Sequence, residues 1–137
     1  SNGTSIIYHR NGNIKSRGKI KNNIKYGVWM DYFENGQKWV EVQYIELTGY
    51  VDIVNSWDKD GNLISEVDYS NGLPHGKWIK YHPNGNPMNV VNYFHGQKHG
   101  DENWYYETGQ LKSEIKYESG KPLTEIIRWN LDGTIIY

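Results

Sequence analysis

Cysteine is missing from this 137-residue chain. Its absence excludes a disulfide framework, a thiolate metal site and a thiol nucleophile, and leaves the redox compartment open. Alanine is missing as well, and the other strong helix formers are sparse. No apolar run approaches the roughly 18 residues that a membrane-crossing helix needs. An excess of either charge is also lacking, with 15 Lys and Arg against 16 Asp and Glu. No basic face is read from that balance, which argues against nucleic acid or an anionic membrane as partner. Neither a Ser-His-Asp order nor a glycine-rich phosphate loop appears. What the chain does have is 12 Tyr, 6 Trp and 15 Gly. Turn and strand formers at that density indicate an all-β protein.

The aromatics and glycines are periodic. Tyr or Trp stands four places before Gly in Tyr8…Gly12, Tyr32…Gly36, Trp57…Gly61, Tyr81…Gly85, Tyr105…Gly109 and Trp129…Gly133. The glycine spacings are 24, 25, 24, 24 and 24. A period held along the whole length is a repeat architecture. The expected repeats are about 4–27, 28–51, 52–76, 77–100, 101–124 and 125–137, forming one domain with no linker. Ser1-Asn2-Gly3 reads as the remnant of a cleaved purification tag, so the chain is expected to start inside a longer gene product. Residues 45–51 break the pattern by holding the extra residue and lacking a second-turn glycine pair.

Each repeat is expected to be two strands of about seven residues around a tight turn, giving twelve strands and a twisted sheet roughly 55 Å long. Register follows from loop length, because a slip of one residue turns a strand's side chains to the other face. A three-residue loop, a type I turn followed by Gly in the left-handed region, pairs each aromatic with the residue two places after the Gly. Pro83 then falls where a type I turn favours proline. This register is expected to place the six aromatics on one face with Ile14, Leu63, Leu111, Ile135 and the column Tyr44, Tyr69, Tyr93, Tyr117. The other face would carry Trp29, Trp39, Val54, Ile64, Trp78, Met88, Val90 and Trp104. A single-layer sheet should turn a polar back to water, so these apolar side chains need an explanation. Either twist packs them on one another and under long Lys and Glu stems, or they form a partner-binding or dimer surface. The candidate partner-binding residues are Trp29, Trp39, Ile64, Trp78, Met88 and Trp104.

The runs Gly76-Lys77-Trp78-Ile79-Lys80-Tyr81-His82-Pro83-Asn84-Gly85 and Tyr105-Tyr106-Glu107-Thr108-Gly109-Gln110-Leu111-Lys112-Ser113-Glu114 resemble the MORN-repeat-variant proteins of bacteria. The resemblance covers residues 6–137. It implies an all-β fold, an elongated single-layer antiparallel meander of about six 24-residue hairpin repeats. It also implies protein binding without catalysis, in some members as antitoxin-like partners of toxins and in others as exported proteins. Trp104-Tyr105-Tyr106…Gly109-Gln110-Leu111 is similar, in addition, to one unit of the choline-type cell-wall-binding repeats. The functional expectation is therefore a non-catalytic protein-interaction module, possible antitoxin-like action included, with a cell-surface or cell-wall glycan-binding module as the alternative. Location stays open between export and, for an antitoxin, the cytoplasm, and a homodimer is among the candidate assemblies.

Three further constellations carry residue types suited to chemistry. His75 and His99 occupy equivalent places and His95 is close in sequence, so two loops could offer imidazoles to zinc; nothing completes the set, and no metal or cofactor is expected. Glu41, Glu66 and Glu114 share one repeat position, but consecutive repeats stand about 10 Å apart, too far for a retaining glycosidase pair. They are expected to be solvated and paired with Lys. The aromatic column could stack sugar rings, although each repeat also needs those rings for its own face.

Overall fold

The computed structural model describes residues 2–137. Five repeats are hairpins: β1 (Gly3–Tyr8) with β2 (Ile14–Lys21), β3 (Ile24–Tyr32) with β4 (Lys38–Tyr44), β5 (Val51–Trp57) with β6 (Leu63–Ser70), β7 (Leu73–Tyr81) with β8 (Pro87–Phe94), and β9 (Gln97–Tyr105) with β10 (Leu111–Glu118). The sixth supplies β11 (Lys121–Pro122), β12 (Ile127–Trp129) and β13 (Ile135–Ile136). All join one antiparallel sheet in chain order, with β11 pairing β10 to the side of the path. Thirteen strands form among the described residues instead of the twelve expected. The first strand of repeat six is split, with Pro122, which has no N–H to give a ladder, closing its first piece.

The loop within each repeat is the three-residue type. Gly12 N–H donates to the His9 carbonyl at 3.0 Å, and His9 N–H donates to the Asn13 carbonyl at 2.8 Å. The same pair of bonds closes the loops at Gly36, Gly61, Gly85, Gly109 and Gly133. Tyr8 pairs with Ile14, Trp57 with Leu63 and Tyr105 with Leu111, in the expected register. Between repeats the turns have two residues, both with positive φ: Asn22-Asn23, Asn71-Gly72, His95-Gly96 and Ser119-Gly120. That is the type I′ geometry, whose twist matches the strands it joins. Residues 45–50 form the exception, a wider loop closed by Ile45 N–H to the Tyr50 carbonyl at 2.8 Å.

One step beyond the aromatic pair, the register shifts. Ile7 faces Ser16, Ser56 faces Ser65, Lys80 faces Asn89 and Trp104 faces Ser113. In repeats one to five, one extra residue three places after the Gly is accommodated as a β-bulge, whereas in repeat six Trp129 pairs with Ile135 and Arg128 with Ile136 without a shift. Parity beyond the bulge is reversed, which corrects the expected faces. The loop aromatics share their face with Ile14, Leu63, Leu111 and Ile135, but Tyr44, Tyr69, Tyr93 and Tyr117 belong to the opposite one. Contacts agree: Trp78 and Tyr93 rings lie 5.9 Å apart, and Lys25 sits over both Trp29 and Tyr44. Val90 moves the other way, onto the face of the loop aromatics, because it lies one residue from the inward Val91.

We call the face bearing Trp29, Val42, Val54, Val67, Trp78, Val91 and the four tyrosines the tryptophan face, and the other the loop-aromatic face. Val67, Val91, Asn89, Glu102 and Ser113 are buried on the tryptophan face, so the core runs along its midline. Its most crowded point is at the N-terminal end. The Trp29 ring lies on Gly18, where any Cβ would collide with it, and its Nε1 donates to the Lys19 carbonyl at 3.0 Å.

Candidate interaction surface

The six candidate residues Trp29, Trp39, Ile64, Trp78, Met88 and Trp104 all lie on the tryptophan face. Sequence reasoning grouped them by pairing offsets three and five after the Gly with offsets five and seven before it. The observed partners are offsets four and six, as in Trp29 with Val42 and Trp78 with Val91. Offset three is the bulge residue itself; Trp39 there stacks on Phe33 and Lys112 there lies over Tyr106, rings one residue past the loop aromatic and so on the tryptophan-face side, and this keeps the group together. Their accessibility differs. Trp29 is only 6% exposed and is spent on the core. Trp78 is half-buried, and its indole Nε1 is buried without a hydrogen-bond partner.

Trp39 is 47% exposed and stacks on Phe33 with ring centroids 5.4 Å apart. Both line a 380 Å³ cleft with His9, Tyr32, Glu34, Asn35 and Lys59. Ile64 and Met88 occupy the same bulge position in the next two repeats, Ile64 exposed and Met88 half-buried. Trp104 is exposed and pairs with Asn89 across β8 and β9.

Trp104 also borders a 240 Å³ pocket shared with Trp78, Lys80, Asn89, Val91, Tyr93, Lys98 and Glu102. Asn89 is 2% exposed and donates to Glu102 Oε2 at 3.3 Å and to the Asn103 carbonyl at 3.2 Å. Lys98 Nζ meets Glu102 Oε1 at 2.8 Å and lies over the Tyr117 ring. Burial pulls the Lys98 pKa down, but its hydrogen bond to Glu102 and the attraction of that carboxylate outweigh it, and the net shift is upward. Sequence reading missed Asn89, Lys98 and Glu102. The signal was available: other repeats place Ser16, Val40, Ser65 and Ser113 where Asn89 stands, and Trp29, Val54, Trp78 and Ile126 where Glu102 stands. Burying a carboxylate where apolar residues suffice is costly unless it is paired.

The histidines close turns. His75 Nδ1 accepts the His95 N–H at 3.1 Å, and His99 Nδ1 accepts the Ser119 N–H at 3.2 Å, with the rings gathered about Phe94. Among the described residues no group of three or more His, Cys, Asp or Glu is placed to hold a metal ion. The expected Lys partners of the Glu column are also replaced. Glu66 accepts a short hydrogen bond from the Tyr81 hydroxyl, and Glu41 lies near the amides of Gln43 and Asn55. Burial, then the Glu66 hydrogen bond and charge, push the Tyr81 phenol up to about 12.

Among the described residues no helix is long and apolar enough to cross a membrane. No protein with a curated description matches the chain. The family model of the MORN repeat variant matches residues 1–22, 25–46, 74–95 and 98–119. The unmatched stretch 47–73 begins inside the wide loop that interrupts the repeat pattern. MORN repeats generally serve as interaction modules rather than catalysts. With its hairpin period, glycine-closed loops and four matched repeats covering more than half of its length, the chain belongs to the MORN repeat variant family.

Proposed function

We propose that the protein is a non-catalytic interaction module that docks a protein partner through Trp39, Ile64, Met88 and Trp104. One observation carries this: Trp39, Ile64 and Met88 repeat on one face at about 10 Å intervals, Trp104 stands on the strand beside Met88 about 5 Å further on, and no second layer lies over them among the described residues. An apolar row that begins and ends on an exposed Trp suits a protein that presents apolar side chains along the same line. The test is a photo-crosslinking residue at position 64, with an equivalent at position 46 as control. A discrete adduct is expected from position 64 alone, and lost in Trp39→Ala/Trp104→Ala while circular dichroism is unchanged. Equal adducts from both positions, or an adduct indifferent to the double substitution, would overturn the reading. In its finer form the partner is a bacterial toxin whose working surface the sheet covers. The family resemblance supports this form, and co-expression should then rescue growth with the parent chain and fail with the double variant.

A second reading, glycan binding, is favoured by the pocket between Trp78 and Trp104. Two indoles beside Asn89, Glu102 and Lys98 offer a stacking surface and hydrogen-bonding groups to one sugar ring. Calorimetric titration with N-acetylglucosamine and glucose oligomers tests it. Heat that disappears in Asn89→Ser supports it, and no heat with any of these sugars removes it.

A further inference from the structure

The balanced total charge conceals a strong segregation along the sheet. Residues 1–30 hold six Lys and Arg and no Asp or Glu, whereas residues 39–76 hold seven Asp and Glu against Lys59. The absence of a basic face, expected from the total, is thereby corrected: β2 carries Lys15, Arg17, Lys19 and Lys21 within seven residues. Because the strands follow chain order, these blocks occupy different places along the long axis. Arg17 and Lys19 lie on the loop-aromatic face at offsets five and seven after Gly12. They line a 480 Å³ groove with Lys38 over an apolar floor of Ile6, Val28, Met30 and Tyr32. Two repeats away, Glu66 and Asp68 stand on the same face at offsets five and seven after Gly61. Among the described residues no carboxylate pairs with Arg17 or Lys19, and no cation pairs with Glu66 or Asp68. Four strands at about 4.8 Å put the two sets roughly 19 Å apart, beyond the Debye length of about 8 Å at physiological salt, so they do not neutralise each other within one chain.

We infer that the loop-aromatic face is a self-association surface and that its occupant is a second copy of this chain. A two-fold axis parallel to the strands and passing over β4 exchanges β2 with β6 and preserves position along the strand. It therefore sets Arg17 against the partner's Glu66 and Lys19 against the partner's Asp68, and repeats both pairs on the other side. The same operation brings Tyr8 to the partner's Tyr81, Tyr32 to the partner's Trp57 and Ile14 to the partner's Leu63, joining apolar groups at matching offsets. This is the self-complementarity that an isologous interface requires. The footprint of seven strands, β1 to β7, about 29 Å by about 20 Å, buries roughly 1,200 Å² in total, the lower end of a stable interface. Glu41, on the axis, meets its own copy and weakens the dimer.

Sedimentation velocity of the full chain tests the assignment. A dimer is expected at about 50 mM NaCl and a mostly monomeric chain at about 500 mM. Arg17→Glu/Lys19→Glu should be monomeric, and so should Glu66→Lys/Asp68→Lys. An equimolar mixture of the two should regain the dimer, because each reversed patch then faces its complement on both sides of the axis. If Glu66→Lys/Asp68→Lys fails to fold, because Glu66 holds Tyr81, the single Asp68→Lys takes its place and should raise Kd at least about tenfold. Glu41→Gln should tighten the dimer. A wild-type chain that stays monomeric at low salt overturns the inference. So does a dimer indifferent to both reversals, or a mixture that fails to associate. Binding of an unrelated acidic protein to the groove by a monomeric chain also overturns it, and gives the groove to that partner.

Discussion

Two residues show how little room the sheet leaves. Gly18 stands six places after Gly12, the position that Val67 holds after Gly61; here a hydrogen replaces the Val side chain, and the Trp29 ring occupies the space. Gly18→Ala forces that ring off the sheet, with a cost of about 1–3 kcal/mol for overpacking. A lowered urea midpoint with an unchanged slope, together with a red-shifted tryptophan emission, is the expected result. Tyr81 supplies a second test, through pH. Its phenol donates to Glu66, and its pKa is raised from the ordinary 10.0 to about 12. A raised folded pKa means that the contribution is complete below pH 10 and is lost as pH rises through about 12. Absorbance titration should therefore show one tyrosine ionising last. Tyr81→Phe should lower stability at neutral pH and remove the alkaline loss in that window.

At the scale of the hairpin, the loops were legible and the bulges were not. A Gly four residues after an aromatic locates a loop, and an Asn-Asn or X-Gly pair, as in Asn22-Asn23, Asn71-Gly72, His95-Gly96 and Ser119-Gly120, locates the turn between repeats. The bulge leaves no such mark. Apolar residues at offsets two, four, six and eight, as in Leu111, Ser113, Ile115 and Tyr117, read as one unbroken strand face, although the face changes after Leu111. Trp39, Ile64 and Met88 were thus grouped with Trp78 and Trp104 by an incorrect pairing whose error the bulge residue's own lean offsets. The stacking of loops was equally hidden. Asn11 and Asn13 donate to the Glu34 carbonyl at 2.8 Å, Asn35 to that of Lys59 at 3.0 Å, and Asn84 and Asn86 to that of Glu107 at 2.7 Å. Asp60, at the equivalent position of repeat three, has no amide to donate. Asp60→Asn supplies one toward the Pro83 carbonyl and should stabilise the fold by about 0.5–1.5 kcal/mol, the net worth of a typical hydrogen bond. Asn84→Asp should cost a similar amount, and paired urea titrations measure both.

Over the whole molecule, cohesion is local, since each hairpin packs only on its neighbours. Stability then need not be uniform, and the distribution of buried groups indicates where it concentrates. Val67, Asn89, Val91, Glu102 and Ser113 belong to β6, β8, β9 and β10, a contiguous block. Trp29 and Met30 form a second buried site in β3. Between them lies the junction of β4 and β5, joined by the wide 45–50 loop in place of a type I′ turn, with Ile45, Leu47 and Tyr50 exposed. Beyond β10 the strands shorten to two or three residues. A chain built this way should open in parts, because local unfolding free energy follows buried contact. Native-state hydrogen exchange is therefore expected to show β11 to β13 exchanging first, β6 to β10 last, and β1 to β4 at an intermediate level that breaks at residues 45–50. Replacing that loop by an Asn-Gly turn, with Ile45 and Tyr50 kept as the flanking pair, should merge the two protected blocks and raise protection in β3 and β4 toward that of β7. Uniform exchange along the native sheet would mean instead that the hairpins already unfold as one unit, and that the junction carries as much coupling as the I′ turns do.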